Sequence, residues 1–189
     1  YIGDWSSVVC SSDLFAYRLL GSGWLIMKTE GALQLRAVAW AKGSLWLTAA
    51  GVLAISVATP WVSQRIFDKW FSFPNLLMLL PIPAVTMALF VVIHRSLKRL
   101  PVRFALGNQY GAGVPFASTV GIFLLSFYGL AYSLFPWLVI DKLNIWQAAS
   151  APEALRVIFY GVLVVLPVII GYTVFAYRVF WGKSTQLSY

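Results

Sequence analysis

The sequence predicts an all-α integral membrane protein, in which an antiparallel transmembrane four-helix bundle follows a truncated helix. Hydrophobic residues make up 60% of the 189 residues, and only 11% are charged. A soluble domain has about a quarter of its residues charged, and the charge here is too sparse to cover a soluble surface. The mean hydropathy is +0.80. Several apolar runs also reach the length of about 20 residues that a spanning helix needs.

The first fourteen residues, YIGDWSSVVCSSDL, differ from the rest of the chain. They are polar and rich in serine, and they lack the basic start and apolar centre of a signal peptide. They resemble the translated adapter sequence found at the start of many unrelated metagenomic fragments. We therefore expect residues 1–14 to be non-native, with a natural polar tail as the alternative, and a preceding part of the gene to be missing. Cys10, the single cysteine, excludes an internal disulfide.

The transmembrane domain is expected to cover residues 15–183, with residues 184–189 as a tail. Residues 14–27 are too short to span alone and read as the end of a truncated helix. The full spans are predicted at residues 43–62, 75–93, 114–140 and 155–181. The third of them either spans with tilt or ends in a short interfacial piece after Pro136.

Lysine and arginine are distributed unevenly over the connections between these spans. The first, third and fifth connections carry nine of them, and the second and fourth carry four. Basic residues collect in cytoplasmic loops, so the sequence predicts a multi-pass protein with a cytoplasmic C-terminus. The net charge of +8 has the same explanation and does not indicate a nucleic-acid partner, because no basic face with interleaved aromatics lies outside the spans.

The chain carries no motif for nucleotide hydrolysis, metal-dependent proteolysis or serine hydrolysis. No ionisable residue lies at mid-depth in a full span. We therefore predict no catalytic, cofactor-binding or metal-binding residue, which favours a partner subunit over a self-sufficient enzyme. A secondary transporter is the alternative, because Pro81, Pro83 and Pro167 are weak signs of broken helices.

Three residues are candidates for an interface or a membrane boundary: Lys28, Glu30 and His94. Lys28 and Glu30 follow an apolar run and read as a cytoplasmic helix exit, although a proton-uptake role for Glu30 is an alternative. His94 is the only histidine and stands at a predicted helix end. A structural role at the headgroup level is favoured over haem ligation or proton relay.

Two stretches resemble subunit II of the cytochrome bd family of quinol oxidases. The first is GWLIMKTEGALQLRA, residues 23–37, which follows an apolar run. The second is residues 133–183, with the pair FP before an outer loop, the segment NIWQAAS, the helix centre LPVIIGYT and an aromatic exit. The resemblance covers residues 15–183, and the KTEG form leans towards the cyanide-insensitive branch.

This resemblance implies a heterodimer in the bacterial plasma membrane, working in aerobic respiration. A partner subunit I would carry the b-type and d-type haems, oxidise quinol and reduce dioxygen to water. Subunit II would support assembly without cofactors of its own, and some members hold a structural quinone beside it. The family's proton-path carboxylates belong to an N-terminal half that this chain does not contain. The four full spans would form the second helix bundle of the subunit.

Overall fold

The computed structural model describes residues 3–62, 64–73, 77, 79–139, 142–179 and 182, with side chains described from residue 13 onwards except at 62, 64, 65, 69 and 139. Within these residues the fold is mostly helical, as predicted. The elements are α1 (Gly3–Lys28), α2 (Gly31–Val62), α3 (Gln64–Phe71), α4 (Pro81–Ala105), α5 (Val114–Leu134), β1 (Trp137–Val139), β2 (Leu143–Asn144) and α6 (Pro152–Val179).

Helices α1 and α2 pack against each other along much of their length. Only Thr29 and Glu30 separate them, and Gly31 opens α2 with φ +67°, a left-handed conformation that glycine adopts without strain. In α2 the buried residues Ala37 and Ala41 are small, and they share one core cluster with the larger Leu19 and Ile26 of α1. Small side chains on one helix let the backbones approach closely.

Helix α4 begins at Pro81, with Pro81 and Pro83 in its first turn as predicted. Proline is suited to that position because the first amide groups of a helix have no internal acceptor. Helix α4 continues to Ala105, twelve residues beyond the end of the predicted span at residue 93. The extension is amphipathic, with Ile93, Leu97 and Leu100 buried at helical spacing.

Helix α5 contacts both α1 and α4 through glycines. A Cβ on Gly23 of α1 would lie 3.1 Å from the backbone of Phe116, and one on Gly121 would lie 3.1 Å from Cδ1 of Leu89. Aromatic pairs extend the α1–α5 contact. The Trp24 and Phe116 rings meet edge to face at 5.2 Å.

Residues 134–183 form a separate compact unit. Its first part is a short antiparallel hairpin in which Trp137 of β1 pairs with Asn144 of β2. Helix α5 ends at Leu134, so the chain leaves the helix before Pro136 and before the end of the predicted span at residue 140. Helix α6 is exposed along its whole length apart from the half-buried Ala176.

Three described helices are long and apolar enough to cross a membrane: Gly31–Trp61, Val114–Leu134 and Pro152–Val179. They overlap three of the four predicted full spans. The helix Gly31–Trp61 begins twelve residues before the predicted span start at residue 43, because it extends through a basic, polar segment. Part of the predicted span 75–93 lies outside the described residues, namely 75, 76 and 78.

Two buried side-chain hydroxyls on α2 differ in their hydrogen bonding from the hydroxyl of Ser22 on α1. Ser44 and Thr48 are 0% and 3% exposed, and neither hydroxyl has a hydrogen-bond partner. In contrast, Ser22 of α1 is equally buried but donates to the carbonyl of Leu19 at 3.0 Å. A buried polar group without a partner carries its full desolvation cost.

We therefore expect Ser44→Ala to leave the stability of the full chain unchanged or raised. The matched variant Ser22→Ala should lower the free energy of unfolding by about 0.5–1.5 kcal/mol, because it removes a made hydrogen bond. Unfolding in mixed micelles, followed by tryptophan fluorescence, compares the two. A larger loss for Ser44→Ala than for Ser22→Ala would contradict this account of the α2 hydroxyls.

Candidate functional site

The most polar buried contact joins the α1–α2 connection to the α4–α5 loop. We call it the polar junction and define it by Thr29, Glu30, Gln34, Asn108 and Gln109. Gln34 is 1% exposed, and its Nε2 donates to the carbonyl of Ile26 at 2.9 Å and to Oε1 of Gln109 at 3.0 Å. These bonds tie the end of α1 and the start of α2 to a loop 75 positions away in sequence.

The end of α1 is closed by local contacts. The backbone N–H and the hydroxyl of Thr29 both donate to the carbonyl of Leu25, at 2.9 and 2.7 Å. These bonds satisfy a carbonyl that the end of a helix otherwise leaves without a partner. Thr29 is buried, while the neighbouring Glu30 is exposed.

Lys28 is the last residue of α1, as the predicted helix exit requires. Its Nζ lies 5.3 Å from the centroid of the Trp24 ring, within the range of a cation–π contact. A lysine that folds back over an aromatic ring near a helix end suits the boundary between an apolar and an aqueous phase. The boundary role of Lys28 and Glu30 stays a prediction.

The α4–α5 loop is held by a helix cap. Gly107 has φ +70° and its N–H donates to Phe104 at 3.0 Å, while Asn108 N–H donates to Arg103 at 2.9 Å. This pair of bonds is a Schellman motif, which depends on glycine at the left-handed position. Asn108 Oδ1 then accepts from the N–H of Tyr110 at 2.8 Å. The side chain of Gln109 is therefore presented from an ordered turn.

His94 lies within α4 rather than at a helix end, because the helix continues to Ala105. Its ring meets Trp46 of α2 edge to face at 5.6 Å, and it is half-buried. At about 1.5 Å per residue, the eleven residues to Ala105 place His94 roughly 16 Å before the end of α4. The helix continues past His94, and the role of His94 at an interface or membrane boundary stays a prediction.

Histidine and cysteine, two of the residue types that ligate haem iron, are sparse in this chain. The sequence has one histidine and one cysteine. Across the described residues, histidine, cysteine and carboxylate side chains do not come together in threes.

Comparison with known families decides the identity of the chain. The model of the family described as cytochrome bd terminal oxidase subunit II matches residues 5–180 of the 189-residue chain. The chain belongs to the cytochrome bd oxidase subunit II family. The resemblance inferred from residues 23–37 and 133–183 is thereby confirmed, and the transporter alternative loses its basis. A search of curated proteins finds no match.

Four of the five residues of the polar junction, Thr29, Gln34, Asn108 and Gln109, were not among the candidates predicted from the sequence. Gln34 is the only polar residue in the run GALQLRA besides Arg36, and a glutamine flanked by leucines at a helix start is a signal for a buried polar contact. Its partner Gln109 lies in a loop, and the sequence alone does not specify which loop residue packs against Gln34. For a bd oxidase subunit II, this contact fixes the relative position of two connections that were predicted on the same side of the membrane.

Proposed function

We propose that the chain is the non-catalytic subunit II of a bacterial cytochrome bd-type quinol oxidase. Quinol oxidation and the reduction of dioxygen to water take place at the b-type and d-type haems of a partner subunit I. The chain contributes apolar surface at membrane depth, which holds the partner in the bilayer and limits access of water to its haems. The family membership over residues 5–180 is the observation that carries this proposal.

The exposure of α6 supports a role in a membrane complex. Its apolar side chains are exposed on all sides, and it carries charge only near its ends, at Glu153, Arg156 and Arg178. A helix that is apolar all round is normally buried in protein or lipid. In the native complex, lipid and the haem-bearing subunit are the surroundings that satisfy this requirement.

The contacts between pairs of helices support a four-helix arrangement. Its helices differ from the four full spans that the sequence predicted as the bundle. Helix α1 contacts α2 and α5, α4 contacts α2, and α5 contacts α4. We propose that these four helices form an antiparallel bundle, with the polar junction on the cytoplasmic side. The excess of basic residues in the first and third connections supports that orientation, since the junction joins these connections.

The test is co-expression of the tagged chain with a haem-bearing subunit I of the same oxidase family. Purification through the tag should yield a complex with a d-type haem spectrum and quinol-dependent oxygen consumption. The tagged subunit expressed alone should show no haem absorbance. A complex without haem, or substrate uptake by the subunit alone, would overturn the proposal.

His94 gives a second test of the ligand-free role. In the assembled complex, His94→Ala should leave the haem content and the haem spectrum unchanged, because the proposal places the haem ligands in the partner subunit. His94→Phe is the matched control, since a phenyl ring can keep the edge-to-face contact with Trp46. Loss of one haem per complex in both variants would show that His94 is a ligand.

A further inference from the structure

Helix α3 and its flanking aromatics carry an apolar surface that the fold leaves uncovered. In the sequence QRIFDKWF, the polar pair Asp68–Lys69 separates two apolar pairs, Ile66–Phe67 and Trp70–Phe71. At 100° per residue, Ile66 and Trp70 lie on one side of the helix, Phe67 and Phe71 on the next, and Asp68 on a third. A helix with one polar side and a broad apolar side is the type that lies in a membrane interface.

The first side of α3 faces the protein. Ile66 is 6% exposed, and the indole Nε1 of the half-buried Trp70 donates to the hydroxyl of Ser133 at 3.0 Å. Ser133 in turn donates to the carbonyl of Gly129 at 2.7 Å. These contacts fix α3 against the end of α5, so the direction in which its other sides point is set by the fold.

The second side of α3 is apolar and exposed. The rings of Phe67 and Phe71 lie 4.6 Å apart and are 40% and 57% exposed. Trp61 before the helix and Phe73 after it are 82% and 78% exposed. We call these four aromatics the α3 aromatic surface. Phe67 and Phe71 are in contact, and Trp61 and Phe73 flank them in sequence, so this part of the chain exposes aromatic surface to which water is poorly suited.

The exposed apolar surface continues from a spanning helix. Leu53 and Val57, near the end of the candidate span Gly31–Trp61, are 61% and 49% exposed. Because Trp61 closes this span and α3 begins three residues later, the aromatics lie where the chain leaves the hydrocarbon layer. Tryptophan and other aromatic residues are favoured at that depth, at the boundary between acyl chains and headgroups.

We infer that α3 is an interfacial helix whose aromatic surface, Trp61, Phe67, Phe71 and Phe73, binds the headgroup–acyl boundary of the phospholipid bilayer. Asp68 then faces the aqueous phase on the side opposite to the protein contacts, and it is exposed as this requires. The surface anchors the connection between α2 and α4 at the membrane face opposite to the polar junction. This inference depends on the membrane location of the chain but not on its role in the oxidase.

Spin labels test the inference in the full chain, reconstituted in vesicles of phosphatidylcholine and phosphatidylglycerol. Single cysteines at Phe71→Cys and Asp68→Cys are introduced with Cys10→Ser, and each label is probed with oxygen, which concentrates in lipid, and with a water-soluble nickel chelate. Phe67→Cys is a second reporter on the aromatic surface. Tyr110→Cys is the aqueous control, since Tyr110 is 79% exposed in the α4–α5 loop.

The oxygen-to-nickel collision ratio should be several-fold higher at positions 67 and 71 than at positions 68 and 110. Equal ratios at all four positions would place α3 in water and overturn the inference. Labels at 67 and 71 shielded from both probes would assign the surface to a protein contact, which also overturns it. The readout does not involve haem, so a failure here is distinct from a failure of the proposed oxidase role.

Discussion

Replacing Gly23 by alanine is expected to destabilise the protein by about 1–3 kcal/mol. A Cβ at this position would lie 3.1 Å from both Cα and N of Phe116, and 3.4 Å from its Cβ. Backbone atoms inside a helix cannot move aside as the end of a flexible side chain can. Relief therefore requires α1 and α5 to separate, which also weakens the contact of the Trp24 and Phe116 rings.

Gly21 provides a matched control on the same helix. A Cβ on Gly21 meets no atom within 4 Å, so Gly21→Ala adds a methyl group in open space. Alanine is favoured over glycine inside a helix by roughly 1 kcal/mol, and Gly21→Ala should therefore be neutral or stabilising. Unfolding of the two variants of the full chain in mixed micelles, followed by tryptophan fluorescence, measures the difference. Equal stabilities would show that α1 and α5 are not in close contact at Gly23.

The spans were predictable from sequence because they depend on hydropathy, and the helix ends were not. Hydropathy detects the part of a helix at lipid depth, whereas a helix continues wherever its backbone bonds and packing are satisfied. Helix α2 therefore begins at Gly31, before its apolar run. Helix α4 likewise passes residue 93, because Leu97 and Leu100 remain buried while the charged positions between them are exposed.

The candidate site was predictable only in part. Lys28 at the end of α1 follows from local sequence, since an apolar run stops there. The contact between Gln34 and Gln109 depends on the packing of two helix pairs, which a single sequence does not specify. His94 lies within α4 rather than at a helix end, because a helix can continue beyond the end of an apolar run.

The family assignment and the composition point to the same class of protein by independent routes. The apolar composition requires surroundings other than water, and α6 has no buried residue among its 28. In the proposed oxidase, a membrane and a haem-bearing partner supply those surroundings. The exposed apolar surfaces of α6 and α3 are then expected to meet different environments, which are acyl chains and the partner along α6 and the headgroup–acyl boundary along α3.

The second large effect is expected at Gln34. Gln34→Leu keeps the apolar stem but removes both donated hydrogen bonds, leaving the carbonyl of Ile26 without its side-chain donor in a buried position. A loss of about 1–3 kcal/mol in the free energy of unfolding is expected from an unsatisfied buried group. The control Gln147→Leu changes the same residue type at an exposed position and should cost less than about 0.5 kcal/mol.

A double-mutant cycle with Gln109→Ala isolates the bond that joins the two connections. Gln34 and Gln109 are in contact, so the cycle should give a coupling of about 0.5–1.5 kcal/mol, the size of one hydrogen bond. Additive effects of the two changes would mean that the α1–α2 connection and the α4–α5 loop are not tied through this pair. Gln34→Leu would then act only through the carbonyl of Ile26, and the polar junction would reduce to the local cap of α1.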